Sequence, residues 1–374
     1  MKKFIYLMVM VCTLGFFTAC SSDDDEPDVW ETFKAGTYNV WGEELDTEDG
    51  EVDYNYWDFD MKIEKAGNQT AKVTLTDKNG EVTINVPEAT VIALDGYTLR
   101  GQGKATFKED ITRSQLDPSS MYVDFTAKIS ADYKNISVEL KTADGTFTGS
   151  NSEKPAASKL LATWNLEPVT MYNKYGHQTD DPYAAYSWKG SFKMNWNISS
   201  DSPIMITPEL SAQDVESILN QSLPMVLKTV AFTADGKIIA QYSEANYTPK
   251  WQIAEDYATY KVVDESKILV FLNNEKIVST ITDPAKKATI NALLAVFKDG
   301  IPVNVRFNDI FNTAFFYLDQ AYVTELLSNP VIVKMLEINE QDGYNVLILK
   351  TLVQQLPELM EKTTKFEAGL ELMK

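Results

Sequence analysis

Trp57-Asp58-Phe59-Asp60-Met61-Lys62-Ile63-Glu64 alternates apolar and polar residues without a break. Successive side chains of a strand point to opposite faces, so Trp57, Phe59, Met61 and Ile63 are predicted to share a buried face. The same period returns at Ala71, Val73 and Leu75, and at Val82, Ile84 and Val86. It returns again at Met121, Val123, Phe125, Ala127 and Ile129, and at Ile136, Val138 and Leu140. Asn79-Gly80, Asp95-Gly96 and Asp144-Gly145 supply the positive-φ residues that tight turns require. Residues 33–150 therefore read as about eight short strands in a barrel or sandwich. Gly101-Gln102-Gly103, inside this region, reads as a bulge and not as a dinucleotide-binding loop.

The chain changes character at 151–156, where Asn151-Ser152-Glu153-Lys154-Pro155-Ala156 is small, polar and proline-containing. Such a stretch marks a linker. A second domain is expected over 157–374. It opens on the strand Leu160-Leu161-Ala162-Thr163-Trp164-Asn165-Leu166, with Trp164 as a core residue. A helix is expected from Ser211-Ala212-Gln213-Asp214, with Val215, Ile218 and Leu219 on one face and Pro224 at its end. Leu227 to Tyr242 reads as a hairpin about Asp235-Gly236, and Tyr260–Val263 and Ile268–Leu272 as further strands.

From Asp283-Pro284 the period becomes helical, at Ile290, Leu293, Leu294 and Phe297. A short extended piece, Ile301 to Phe307, follows. Phe311, Phe315, Leu318, Tyr322 and Leu326 then form a second stripe, Asn329-Pro330 opens another helix, and Val346 to Leu356 carries a last one. Phe366, Ala368, Leu370 and Leu372 alternate once more as a closing strand. The fold class is thus mainly β with a helical C-terminal insertion at about 283–361, α+β overall.

Lys2 and Lys3 precede an apolar run, Phe4–Phe17, and small residues, Thr18 and Ala19, stand before Cys20. This is the layout of a cleaved export signal over 1–19, too short for a spanning helix of ~20 apolar residues. The Cys after small residues resembles the lipobox of bacterial lipoproteins, which implies lipidation of Cys20 and attachment to a membrane through the lipid. Asp23–Glu26 lies in an acidic tether, 20–32, and resembles the surface-export signal of Bacteroidetes lipoproteins. That resemblance implies an outer-membrane, lipid-anchored, cell-surface protein.

Gly36-Thr37-Tyr38, the repeated hairpins and Gly145-Thr146-Phe147-Thr148-Gly149 are similar to the calycin-like barrel domains of Bacteroidetes lipoproteins. The helix-then-hairpin order of the second domain, with Trp164 at its opening, resembles a lipocalin-like domain of the same uncharacterised lipoprotein family. Ala162 stands where lipocalins carry Gly. The resemblance implies two barrels in succession and names no ligand.

Composition narrows the chemistry. Both cysteines, Cys12 and Cys20, lie at or before the cleavage point, so the mature body has no thiol for a disulfide, a zinc site or a nucleophile. A net charge of -20 repels nucleic acid, which is excluded as a partner. The one histidine, His177, sits in a predicted loop. No nucleophile elbow, zinc-helix motif or phosphate loop is present. Asp58 and Asp60 share a solvated strand face. Asp46, Glu48, Asp49 and Asp53 about Gly50 do not follow the calcium-loop pattern. No catalytic residue, metal or cofactor is assigned, and the chain is read as a non-enzyme.

The segment that stands out is Tyr172 to Trp188. It carries Tyr172, Tyr175, His177, Asp180, Asp181, Tyr183, Tyr186 and Trp188, with aromatic faces and hydrogen-bonding groups suited to a glycan. Packing of Tyr183, Tyr186 and Trp188 at a loop–strand junction is the competing reading. The expected function is non-catalytic binding of a glycan or small apolar ligand. A structural role, docking onto an outer-membrane protein partner, comes second, and a carboxylate-dependent envelope hydrolase last.

Overall fold

A computed structural model describes residues 28–47, 50–108, 121–143, 145–155, 159–198, 205–207, 210–244, 248–335 and 359–374. The export signal, Cys20, the acidic run, Glu48, Asp49 and the helix expected over 346–356 lie outside the described residues. The chain forms two compact units. One is built on residues up to Val40 and Asp58–Asn151, the other on Trp41–Trp57 and Ser152–Lys374.

The first barrel has eight antiparallel strands in chain order and is closed. They are β1 (Gly36–Asp46), β2 (Asp53–Lys65), β3 (Thr70–Asp77), β4 (Val82–Ala93), β5 (Tyr97–Phe107), β6 (Met121–Ile129), β7 (Ile136–Lys141) and β8 (Thr146–Ser150). Most of the predicted inward positions are buried, among them Phe59, Met61, Ile63, Val73, Leu75, Val123, Phe125 and Val138. Trp57, Val82 and Met121 are only half-buried. The turns use the glycines expected of them, with φ at +70° for Gly80 and +115° for Gly96.

Gly101 and Gly103 depart from expectation. β5 pairs with β6 without a register shift, and the irregularity lies across the other ladder, in β4 between Asn85 and Ala89. That bulge pushes the β4 backbone toward β5. A Cβ on Gly101 would stand 2.6 Å from the carbonyl oxygen of Glu88, and one on Gly103 2.8 Å from that of Asn85. The glycines make room for a bulge in the neighbouring strand.

The end of the predicted tether is also folded. Asp28 caps a short turn, Val29–Glu31, and Trp30 donates its indole N–H to the carbonyl of Gly67 at 2.7 Å. Phe33 is 2% exposed and packs on Tyr97. Tyr133 packs on both rings, and its hydroxyl donates to the carbonyl of Thr32 and accepts from the amide of Lys34. Burial pushes that phenol up to about 12.

The second barrel closes through β9 (Ala162–Leu166) and β21 (Thr363–Met373), which meet at Leu372 opposite Leu166. Between them run β15 (Leu227–Phe232), β16 (Lys237–Tyr242), β17 (Gln252–Asp264), β18 (Lys267–Leu272), β19 (Ile301–Asn308) and β20 (Thr313–Asp319). The short strands β10 (Thr170–Tyr172) and β11 (Ser187–Lys189) form a separate ribbon, as do β13 (Met205–Thr207) and β14 (Leu210–Ser211). β12 (Phe192–Ile198) lies outside the ring and adds to the free side of β21.

The helices are α1 (Ala212–Val226), α2 (Asn274–Ser279), α3 (Pro284–Val296), α4 (Gln320–Leu327) and α5 (Pro330–Met335). Asp283 caps α3 as expected, accepting from the amides of Ala285 and Lys286. Pro224 does not end α1; it sits inside the last turn, and the helix continues to Val226. The segment 283–361 is not uniformly helical, because it holds β19 and β20. The stripe drawn through Phe311, Phe315 and Leu318 is overturned: Thr313–Asp319 is a strand and α4 begins at Gln320. Spacings of four and three suit a helix, but they arose here by chance in an aromatic run that also suits a strand.

The second barrel has a packed core. In the second barrel Trp164, Phe232, Ile268, Val305, Phe316 and Leu372 form one cluster, with Tyr260 and Phe307 against it. Residues 41–57 pack within the second unit on the outer face of β15 and β16, where Val52 and Tyr54 meet Ala231 and Ile239. The Tyr54 hydroxyl donates to the Glu43 carboxylate and is buried, which raises its pKa.

Candidate functional site

The Tyr172–Trp188 segment is a polar excursion on the β10–β11 ribbon. Asn173 Oδ1 accepts from the amides of Tyr175 and His177, and Asp181 Oδ1 from that of Tyr183. These local bonds shape the loop and engage Asn173 Oδ1 and Asp181 Oδ1. Three of its tyrosines are largely exposed. Tyr183 is 99% exposed, Tyr175 74% and Tyr186 68%, and His177, Asp180 and Asp181 are exposed as well. Tyr172 is half-buried, with the Lys189 ammonium 5.2 Å from its ring.

Trp188 is placed differently. It pairs with Met171, and both line a groove of about 570 Å³. Asn165, Glu167, Val169, Asn220, Gln221 and Lys228 line it too. Of the predicted ligand-binding residues, Trp188 alone is in this lining. The groove joins an indole and a thioether to planar amides, the mixture that holds a ligand with apolar faces and hydroxyl rims.

Helix α1 builds this site. It lies along the free edge of β12 and satisfies that edge with side chains. The amide of Phe192 donates to Asn220 Oδ1 at 2.8 Å, and Asn220 Nδ2 returns a bond to the Phe192 carbonyl at 3.0 Å. The amide of Met194 donates to Glu216 Oε1, and that of Trp188 to Ser217 Oγ. An open strand edge is a hazard for mispairing, and α1 closes this one as a neighbouring strand would. Gly190 leaves space for the contact, since a Cβ there would lie 3.0 Å from Asn220 Oδ1.

A second groove, about 640 Å³, lies on the same outer face and is lined by Lys193, Asn195, Glu216, Arg306, Phe315 and Glu371 among others. Glu367 beside it is the hub. It accepts from Arg306 Nη2 at 2.7 Å and from Asn195 Nδ2 at 3.1 Å, with Lys365 Nζ at 3.3 Å. Burial works to raise its pKa, but the bonds from Arg306, Lys365 and Asn195 outweigh burial and hold it low. The Arg306 guanidinium also covers the rings of Tyr317, at 5.0 Å, and Phe315, at 5.7 Å.

Asp58 and Asp60 are tied to a common partner: Asn39 Nδ2 donates to both, at 2.8 and 3.2 Å. Among the described residues no group of three His, Cys, Asp or Glu side chains is arranged to hold a metal ion. No helix of the described residues is long and apolar enough to cross a membrane. The groove residues contributed by α1 left little trace in the sequence, because Glu216 and Asn220 look like ordinary polar helix positions. The chain matches no protein-family model, no curated protein and no solved structure.

Proposed function

We propose that this chain is a non-catalytic binding protein that holds a glycan against Trp188. The observation that carries this is the groove itself: an indole and Met171 face planar amides on the outer surface of the second barrel, whose interior is occupied by packed side chains. The packed interior of the second barrel favours a glycan on its surface over an apolar compound inside it.

The test is a thermal-shift and fluorescence screen against neutral glycans and apolar compounds. A ligand at a hundred times its Kd adds about 2.7 kcal/mol to stability. Trp188→Ala is expected to weaken a glycan hit at least tenfold, while Tyr183→Ala, changed in open solvent, leaves it intact. Retained affinity in Trp188→Ala would remove the groove from the account. Docking onto a protein partner draws on Ile310 and Phe311, 85% and 71% exposed at the β19–β20 turn.

The lipobox-like sequence supports attachment of the body to the outer membrane through an acyl-modified Cys20. Metabolic labelling with a fatty-acid analogue is expected to mark the wild-type chain and not Cys20→Ala. Equal labelling of the two would dismiss the anchor.

A further inference from the structure

The two grooves share a wall. Glu167 lines the first, Lys193 lines the second, and their side chains are paired at 2.9 Å. Glu371, from the second groove, reaches the same ammonium at 3.5 Å. Ser191 ties the junction together: its Oγ accepts from the amide of Glu167, and its carbonyl from that of Glu371. Helix α1 also runs past both. Glu216 belongs to the second groove and Asn220 to the first, four residues on. At 1.5 Å of rise per residue this is a step of only ~6 Å along the helix.

Each groove alone has the size of a small-ligand site, ~300–1,000 Å³. A ligand that occupies both must therefore be linear and longer than either. The lining also speaks to charge. Lys193 is already matched by Glu167 and Glu371, and Arg306 by Glu367. Lys228, in the first groove, is held by Glu51 at 2.9 Å, so each cation of the two linings already has a carboxylate partner, and the chain carries a net charge of -20. What remains to bind are the amides of Asn165 and Gln221 in one groove, the Oδ1 of Asn195 and the Nδ2 of Asn308 in the other, whose opposite ends are held by Glu367 and the Ile310 amide, and the apolar faces of Trp188 and Ile310. Repeating hydroxyls and apolar C–H faces on a neutral chain match that lining.

We infer that the two grooves are consecutive subsites for one linear, neutral oligosaccharide, with the Lys193–Glu167 ion pair at their junction. This rests on the glycan-binding reading above and adds the ligand's length and charge to it.

The experiment is calorimetric titration of the full mature chain with ladders of linear gluco-, xylo- and manno-oligosaccharides, from disaccharide to hexasaccharide. Uronate oligomers of the same lengths serve as the anionic comparison. For the ladder that binds, affinity is expected to rise at least tenfold with chain length, ~1.4 kcal/mol, and then level off. Asn195→Ala is expected to bring that plateau to a shorter chain, and Trp188→Ala to weaken every member. A disaccharide that binds as tightly as the hexasaccharide would overturn the joined subsites and leave the single-groove reading standing. Tighter binding of uronate oligomers would overturn the neutral class. No binding by any ladder would overturn both the inference and the reading beneath it. The length dependence is measured on the wild-type chain, so it decides the matter even if a variant fails to fold.

Discussion

Trp164→Ala is expected to lower the stability of the second barrel by roughly 3–5 kcal/mol, the range for removing a large aromatic side chain from a packed interior. The indole is 2% exposed. It meets Phe316 edge-on at 5.8 Å and Phe307 at 6.1 Å, and Phe316 in turn stacks on Phe232 at 5.2 Å. These rings come from β9, β19, β20 and β15, so the gap would open between strands that pair far apart in the chain. A closed sheet cannot collapse onto such a gap without breaking a ladder, which puts the cost toward the top of the range. The indole N–H donates to the Leu160 carbonyl at 2.8 Å, and both groups are buried. Trp164→Phe keeps much of the packing and strands that carbonyl, so a loss of about 1–3 kcal/mol is expected there. The check is urea unfolding monitored by hydrogen exchange, which separates the two units where a single probe would merge them. A loss under ~1.5 kcal/mol for Trp164→Ala would mean that the interior is not the close-packed core described here.

Trp164 is also a fair measure of how much the chain disclosed in advance. Its apolar run, its indole and the alternation after it mark a core strand, and so does the period of two in Trp57–Glu64. Alternation reports which side of a strand meets the core, because burial repeats with the backbone pleat. It does not report which strand lies alongside. Gly101 and Gly103 show this: their own strand is regular, and the bulge that requires them is in β4. Phe311, Phe315 and Leu318 show the other weakness, since short aromatic runs satisfy both periods and only pairing with β19 and β21 decides. The grooves were harder still. Trp188 is visible as an aromatic at the end of a polar excursion. Glu216, Ser217 and Asn220 gain their role from facing an open strand edge, which depends on neighbours that no local pattern encodes.

Gly369→Ala is expected to cost at least ~3 kcal/mol, above the usual ~1–3 kcal/mol of overpacking, because the new atom meets backbone and not a movable side chain. Gly369 lies in β21 directly opposite Tyr317 of β20, and on the other side opposite Lys193 of β12. A Cβ there would run into the carbonyl oxygen of Phe316 and stand 2.6 Å from the Cα of Tyr317. β21 has little room to retreat. It pairs with β20 along 313–319, with β12 along 192–198, and with β9 at the point where the barrel closes. Moving it shifts Glu367 and Glu371 as well, so the second groove should lose its shape along with the stability. Gly176→Ala provides the contrast. Gly176 has φ of +77° and nothing within 4 Å of its missing Cβ, so only backbone strain opposes a side chain there, about 1–2 kcal/mol. Melting temperatures of the two variants, with exchange protection read along 367–373, set space against strain. A Gly369→Ala protein that melts no earlier than Gly176→Ala would show that β20 and β21 can part, and that the closure of the second barrel is looser than its ladder implies.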